Sequence, residues 1–155
     1  MKIARFSTGD ELRYGIVEGL DSDDPMSSGE SEGHLVVLKG DPLYTVPEAT
    51  VVPLGEARLL SPVIPRSTVV GVSGNYAARA VESHGRTPAE PIVFLKPNTA
   101  VIGPDTPIVL PAWSDDVHYE AGLAVIIRTV ARDLSPTGAA GAVLGYTVAN
   151  DVSAH

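Results

Sequence analysis

Hydrophobic and polar residues alternate over several short segments of the chain, and this two-residue period predicts a protein built mainly from β-strands. In the first third of the sequence the pattern predicts strands at residues 2–6, 13–18 and 34–38. Gly9 and Asp10 lie between the first two segments and form a typical turn pair, which predicts a β-hairpin. Residues 21–33 are rich in Ser, Asp, Glu and Gly and predict a solvated loop.

The rest of the chain continues this pattern, with strands predicted at 68–72, 91–95, 107–110, 117–128 and 144–148. The segment 91–95 is a short apolar run, so we expect it to be buried. A helix is predicted over 76–83, with Asn75 as its N-cap and Gly85 at its end. A second, Ala-rich helix is predicted to begin at Pro136, with Ser135 as its N-cap.

A change of character near residues 61–66 divides the sequence into two regions. Prolines interrupt the preceding stretch, 42–53, whereas the strand pattern after residue 67 is more regular. We therefore expect a small β-rich N-terminal region at 1–62 and a second domain at 63–155.

Composition narrows the classes of function. The chain has 155 residues, of which 44% are hydrophobic and 19% charged, as expected for a packed globular protein. Its net charge of −8, without a basic run, argues against nucleic acid as a partner. The sequence has no cysteine, which excludes disulfides and thiolate nucleophiles and fits a reducing compartment. The longest apolar run, Leu123–Ile127, is too short to cross a membrane, so we expect a cytoplasmic protein.

Two carboxylates interrupt apolar strands and are the main candidates for chemistry. Glu120 lies within the segment 117–128, and Asp151 directly follows the last predicted strand. Carboxylate oxygens are the ligands that hard divalent cations such as Mg²⁺ prefer, and a bound cation would offset the cost of burying them. The alternative is that both side chains point to solvent from a sheet with one exposed face. The alternation also places His118 on the same strand face as Glu120.

Several motifs in one order resemble the catalytic domain of the fumarylacetoacetate hydrolase family. They are Gly74-Asn75-Tyr76-Ala77, Phe94-Leu95-Lys96-Pro97, Ile102-Gly103-Pro104, Tyr119-Glu120 and Asn150-Asp151-Val152-Ser153-Ala154. The resemblance covers roughly the last two-thirds of the chain and is more specific than any single short motif. It implies an α+β fold dominated by mixed sheets, truncated at its C-terminus and preceded by the small β-rich region. It also implies a homodimer, a bound Mg²⁺, Mn²⁺ or Ca²⁺ ion and small 2-oxo acid substrates.

Carried over position by position, the resemblance makes Glu120 and Asp151 metal ligands. The family's second glutamate would fall at position 122, where this chain has glycine. Losing one of three carboxylates weakens a cation site, because ligand charge and number set its affinity. Water or His118 could supply the missing ligand, although imidazole suits Mn²⁺ better than Mg²⁺.

The family's catalytic histidine falls at Arg79, and its partner falls at Glu82. Arginine cannot accept a proton at working pH and so cannot activate water. The pair is therefore either a surface ion pair or, for Arg79, a clamp for a substrate carboxylate. His155 stands where the family has a substrate-binding arginine. Tyr76 and Lys96 are further candidates for substrate contact, with helix-start packing and a solvent-directed lysine as the alternatives.

Two functional hypotheses follow from the resemblance. In the first, the chain is the N-terminal part of a metal-dependent hydrolase, decarboxylase or isomerase of small 2-oxo acids, such as acylpyruvates, oxaloacetate or ring-cleavage products of aromatic catabolism. In the second, it is a catalytically inactive homologue that serves as a binding or subunit-partner module. The departures at positions 79, 122 and 155 and the early end of the chain support the second.

Overall fold

The structure is a computed structural model that describes residues 1–20, 33–42 and 46–154, without the side chains of residues 79 and 82–84. It is β-rich, with 44% strand and 12% helix, as the α+β prediction requires. The strands are β1 (Lys2–Thr8), β2 (Glu11–Glu18), β3 (His34–Leu38), β4 (Pro47–Pro53), β5 (Arg58–Leu60), β6 (Val69–Ser73), β7 (Ile92–Lys96), β8 (Val117–His118), β9 (Ala121–Ile127), β10 (Val143–Asn150) and β11 (Ser153–Ala154). The α-helices are α1 (Ala77–His84) and α2 (Pro136–Gly141). The chain forms two compact units, Met1–Thr106 and Pro107–His155.

The first unit contains a five-stranded antiparallel sheet with the strand order β4-β3-β2-β1-β5. The predicted hairpin of β1 and β2 is confirmed, with Thr8 opposite Glu11 and Lys2 opposite Val17. Gly9 closes the turn at a φ of 69°, a conformation that glycine adopts without steric cost. The predicted loop at 21–33 falls almost wholly outside the described residues.

The core of this sheet consists of three fully buried side chains, Phe6, Leu35 and Val37. They lie on the strands β1 and β3 that flank β2, and partly buried apolar residues surround them: Ala4, Val17, Val52, Leu54, Ala57 and Leu59. Strand β4 was not predicted, because prolines interrupt the segment 42–53. Both prolines of β4 lie at the ends of this edge strand, the position in a sheet where proline is tolerated.

Strands β6 and β7 form a two-stranded antiparallel ribbon, and α1 lies between them in sequence. Gly85 ends α1 at a φ of 69° as predicted, and its N–H group donates to the carbonyl of Val81. The predicted N-cap, Asn75, is wrong by one residue, because Tyr76 keeps an extended backbone and the helix begins at Ala77. The expected burial of β7 is also wrong. Ile92, Val93 and Leu95 are exposed, and in the described part of the chain β7 pairs only with β6.

The second unit contains the other two ribbons, β9 with β10 and β8 with β11, all antiparallel. Helix α2 begins as predicted, with the Ser135 hydroxyl accepting a hydrogen bond from the Gly138 N–H group. The continuous strand predicted over 117–128 is instead divided into β8 and β9 by Tyr119 and Glu120.

The strand predicted at 107–110 is absent from the structure. In the described part of the chain no strand lies beside this segment, so its apolar residues have no ladder partner despite a suitable composition. Among the residues described, no helix is long and apolar enough to cross a membrane.

Candidate metal site

The two candidate metal ligands, Glu120 and Asp151, lie opposite each other where two strand pairs meet. Ser153 pairs with His118 on one side of this point, and Asn150 pairs with Ala121 on the other. Two residues separate these pairs on each chain segment, so the register continues without a shift and Asp151 faces Glu120. The Asp151 N–H group donates to the Glu120 carbonyl at 2.8 Å, which confirms the opposition of the two backbones.

A side chain completes the connection between these two segments. The Glu120 N–H group donates to Oδ1 of Asn150 at 2.9 Å. Both backbone polar groups of Glu120 are therefore bonded to two consecutive residues, Asn150 and Asp151, on the opposite segment. This arrangement fixes the peptide groups on either side of the Glu120 Cα atom.

The electrostatics of this pair favour a cation. Glu120 is exposed and Asp151 is partly buried. Directly opposed residues in an antiparallel ladder have Cβ atoms about 4.5–5.5 Å apart, and like charges at such positions are destabilising. A divalent cation bound to both carboxylates would replace this repulsion with attraction.

His118, the alternative ligand, has a partner that the sequence analysis missed. Its Nε2 atom lies 2.7 Å from Oδ1 of Asp116, and both side chains are more than half exposed. The Ser114 hydroxyl in turn accepts a hydrogen bond from the Asp116 N–H group at 3.1 Å. The available signal was the spacing of two residues, which places positions 116 and 118 on the same side of an extended segment. Asp116 therefore orients the imidazole ring of His118.

Position 122, where a third carboxylate was expected, has room for a side chain. A Cβ atom built on Gly122 would meet no atom within 4 Å. Among the described residues, no group of three or more His, Cys, Asp or Glu side chains is arranged to hold a metal ion. Two opposed carboxylates nevertheless suit Mg²⁺ or Mn²⁺, because such ions commonly take one or two carboxylates and keep several waters.

The remaining predicted site residues belong to the first unit or lie outside the description. Tyr76 immediately precedes α1 and is 63% exposed, and Lys96 is the last residue of β7 and is partly buried. The backbones of Arg79 and Glu82 lie in α1, but their side chains are outside the described residues, as is the whole of His155. Their roles therefore stay predictions.

In comparisons with known proteins, each of the two parts of the chain matches its own family model. A family model described as "Fumarylacetoacetate (FAA) hydrolase C-terminal" matches residues 68–155. A second one, described as "Rv2993c-like, N-terminal", matches residues 1–62. The pair Glu120 and Asp151 therefore lies within the part that matches the hydrolase family.

Two related proteins and one solved structure illustrate the similarity. Protein Rv2993c of Mycobacterium tuberculosis is 41% identical over 155 residues, 99% of this chain and 56% of the relative. The mitochondrial oxaloacetate tautomerase FAHD2A of Bos taurus is 41% identical over 104 residues, 67% of this chain and 33% of the relative. The crystal structure of 5-carboxymethyl-2-hydroxymuconate delta-isomerase from Mycobacterium smegmatis superposes with a TM-score of 0.81 at 36% identity, covering 99% of this chain and 56% of that one. The chain thus spans about half the length of the relatives that it matches from end to end.

Proposed function

The chain belongs to the fumarylacetoacetate hydrolase family, and on this premise we propose that it carries the metal-binding strands of an enzyme acting on small 2-oxo acids of the acylpyruvate type. The reaction class comprises hydrolysis, decarboxylation and isomerisation, and we propose isomerisation or decarboxylation for this chain. The observation that carries the proposal is the direct opposition of Glu120 and Asp151.

Glu120 and Asp151 would hold the ion, which we propose to be Mg²⁺ or Mn²⁺, with Ca²⁺ as a further oxygen-liganded candidate. When bound, such an ion supplies Lewis-acid stabilisation of the negative charge that a 2-oxo acid develops on enolisation. The protein's own contribution is to hold the backbones that carry the two carboxylates opposite each other.

The residue at position 79 is the reason for preferring isomerisation or decarboxylation to hydrolysis. Hydrolysis consumes a water molecule that a general base must activate, and arginine has no acceptor atom for that proton. Decarboxylation consumes no water and needs no general base. Isomerisation also consumes no water, and the proton that it removes would go to an acceptor other than Arg79, such as a solvent water molecule. The relatives named as an oxaloacetate tautomerase and a muconate delta-isomerase support this choice. An arginine at this position is also suited to bind a substrate carboxylate through two parallel hydrogen bonds.

We further propose that the active protein includes structure beyond this chain, as the N-terminal part of a longer domain that forms homodimers. The share of the Mycobacterium tuberculosis relative that is covered, 56%, supports this. Exposed apolar residues of the two-stranded ribbons, such as Leu95 and Val148, also support it. In a folded protein, such residues are normally covered by other segments or by a partner subunit.

The metal site is tested by titrating the chain with Mn²⁺ and following the free ion by electron paramagnetic resonance. We expect binding by the wild type and a loss of about tenfold or more in affinity for both Glu120→Gln and Asp151→Asn, since each removes one of two charged ligands. Glu48→Gln and Asp105→Asn, which change carboxylates of the first unit, serve as matched controls and should bind as the wild type does. Absence of Mn²⁺ binding at millimolar concentration would remove the proposed site.

Activity is tested separately with oxaloacetate and acetylpyruvate. We expect the chain, or a longer protein that contains it, to accelerate enolisation or decarboxylation of oxaloacetate more than hydrolysis of acetylpyruvate. Faster hydrolysis than enolisation would contradict the role assigned to position 79.

A second candidate function is a non-catalytic module that binds another protein subunit. The observation that favours it is the exposure of apolar side chains on the β6–β7 and β9–β10 ribbons together with glycine at position 122. Stable Mn²⁺ binding with turnover of oxaloacetate would reject it. Failure to bind metal, together with tight association with another subunit, would support it.

A further inference from the structure

We propose that Asn150 is a positioning residue, whose side-chain carbonyl replaces one hydrogen bond of the ladder and thereby holds Glu120 opposite Asp151. The backbone part of this inference stands on the geometry alone. Its consequence for metal binding rests on the proposed function.

The hydrogen bonds at this point differ from those of a regular antiparallel pair. In a regular hydrogen-bonded pair, two opposed residues exchange both of their N–H to carbonyl bonds. Here the Asp151 N–H group donates to the Glu120 carbonyl at 2.8 Å, as in a regular pair. The Glu120 N–H group, however, donates to Oδ1 of Asn150 at 2.9 Å instead of to the backbone of Asp151. One of the two bonds is therefore made by a side chain.

The hydrogen bond from the Asn150 side chain lies at the point where regular strand structure is interrupted, and there it can hold Glu120 in place. Regular strand structure is interrupted at 119–120 and at 151–152, although the register of the flanking pairs is unbroken. Without the Asn150 side chain, Glu120 would keep a single backbone bond to the opposite segment, so its peptide group could rotate. Metal ligands must be held within about 0.5 Å of their working geometry, and hydrogen bonds around the ligands commonly provide that precision.

The chemistry of asparagine suits this role. Its amide oxygen accepts a hydrogen bond without placing a third negative charge beside Glu120 and Asp151. An aspartate at 150 would keep the acceptor, whereas a leucine of similar size would remove it and leave the Glu120 N–H group without this partner. The pair Asn150→Asp and Asn150→Leu therefore separates the hydrogen bond from the volume of the side chain.

The test combines amide hydrogen exchange at Glu120, followed by NMR, with Mn²⁺ affinity measured by electron paramagnetic resonance. For Asn150→Leu we expect exchange of the Glu120 amide to rise about tenfold or more, while the amides of β9 remain protected. We expect its Mn²⁺ affinity to fall by about 10- to 100-fold, the usual effect of losing a residue that orients a metal ligand. Asn150→Asp, which keeps the acceptor and adds a negative charge, should keep the Glu120 amide protected and bind Mn²⁺ at least as tightly as the wild type.

Asn98→Leu is the matched control, because it removes another asparagine side chain, whose Nδ2 atom donates to the Pro65 carbonyl at 3.2 Å in the first unit. It should change neither the Glu120 amide nor the affinity for Mn²⁺.

Three outcomes would overturn the inference. They are an unchanged Glu120 amide in Asn150→Leu, an exposed Glu120 amide in folded Asn150→Asp, and unchanged Mn²⁺ affinity in Asn150→Leu despite a lower melting temperature. The last result would mean that Asn150 stabilises the fold but does not position the metal ligand. If the wild type binds no Mn²⁺, the proposed metal site fails, while the exchange data alone decide whether Asn150 positions the Glu120 backbone.

Discussion

Glycine at position 122 is the residue that most limits the proposed metal site. It follows Glu120 by two positions, so a side chain there would extend from the same strand face in a regular strand. Gly122 lies opposite Ala149, and a Cβ atom at 122 would meet no atom within 4 Å. The position thus has space for the third carboxylate that the family resemblance leads one to expect.

We predict that Gly122→Glu raises the affinity of the chain for Mn²⁺ by about tenfold, because the number of charged ligands sets the strength of a hard-cation site. The measurement is the free Mn²⁺ signal in electron paramagnetic resonance. Gly145→Glu is the matched control, since Gly145 lies in β10 of the same ribbon, opposite Ile126, and a Cβ atom added there would also meet open space. Equal gains in both variants would show that added negative charge alone, without a third ligand, increases binding.

The sequence indicated the types of residue in the site but not all of their contacts. Glu120 and Asp151 were identified because each carboxylate interrupts an apolar segment, and the structure places their backbones in contact. The roles of Asp116 and of the Asn150 side chain were not predicted. The Asn150 contact depends on which residues face each other across the two segments, and this register is set by non-local pairing that one strand's pattern does not contain. The contact between Asp116 and His118 is local, and its only signal in the sequence is a spacing of two residues.

At the scale of elements, Gly71 shows how one missing side chain shapes a strand pair. Gly71 in β6 lies directly opposite Phe94 in β7, and a Cβ atom at this glycine would overlap the aromatic ring. The ring therefore packs over the glycine backbone, which gives this two-stranded ribbon a close cross-strand contact.

We predict that Gly71→Ala lowers the free energy of unfolding of the chain by about 1–3 kcal/mol, because the ring must move or the strands must separate. Urea denaturation followed by circular dichroism measures the change. Gly122→Ala is the control in β9, where the new methyl group meets no neighbour and the stability should change by less than about 1 kcal/mol. A Gly71→Ala variant as stable as the wild type would show that the Phe94 ring moves aside without cost.

The elements that were predicted correctly are those with local signals. The β1–β2 hairpin has a turn pair between its strands, and α2 has a serine that accepts a hydrogen bond from the Gly138 N–H group. The errors concern features that distant partners decide. Residues 107–110 have a strand-like composition but no neighbouring strand in the described part of the chain, and β4 is a strand despite its prolines because it lies at a sheet edge.

At the scale of the whole molecule, the distribution of apolar surface is uneven. The first sheet has a buried core around Phe6, whereas the ribbons β6–β7 and β9–β10 each expose apolar side chains. In β9 and β10, Leu123 lies opposite Val148 and Val125 lies opposite Tyr146, so these exposed side chains form one continuous stripe. We call these four residues the β9–β10 stripe. Leu123 is 61% exposed and Val148 is 81% exposed, which is unusual for a set of large neighbouring apolar residues.

We predict that the isolated chain associates with itself through exposed apolar surface and binds the dye ANS. Replacing one opposed pair with opposite charges, Leu123→Lys together with Val148→Glu, should reduce both effects, because it removes apolar area and keeps a favourable cross-strand pair. Sedimentation velocity over a series of concentrations measures association, and circular dichroism verifies that the strands persist.

Thr8→Lys is the control. It faces Glu11 across the hairpin of the first sheet, adds a charge without removing a large apolar side chain and should behave as the wild type. A wild-type chain that sediments as a monomer at every concentration and binds no ANS would show that the β9–β10 stripe is covered in solution. If the Leu123→Lys, Val148→Glu variant still associates, the association occurs through other surfaces. The next surface to test is then the ribbon of β6 and β7, where Val70 lies opposite Leu95 and both are exposed.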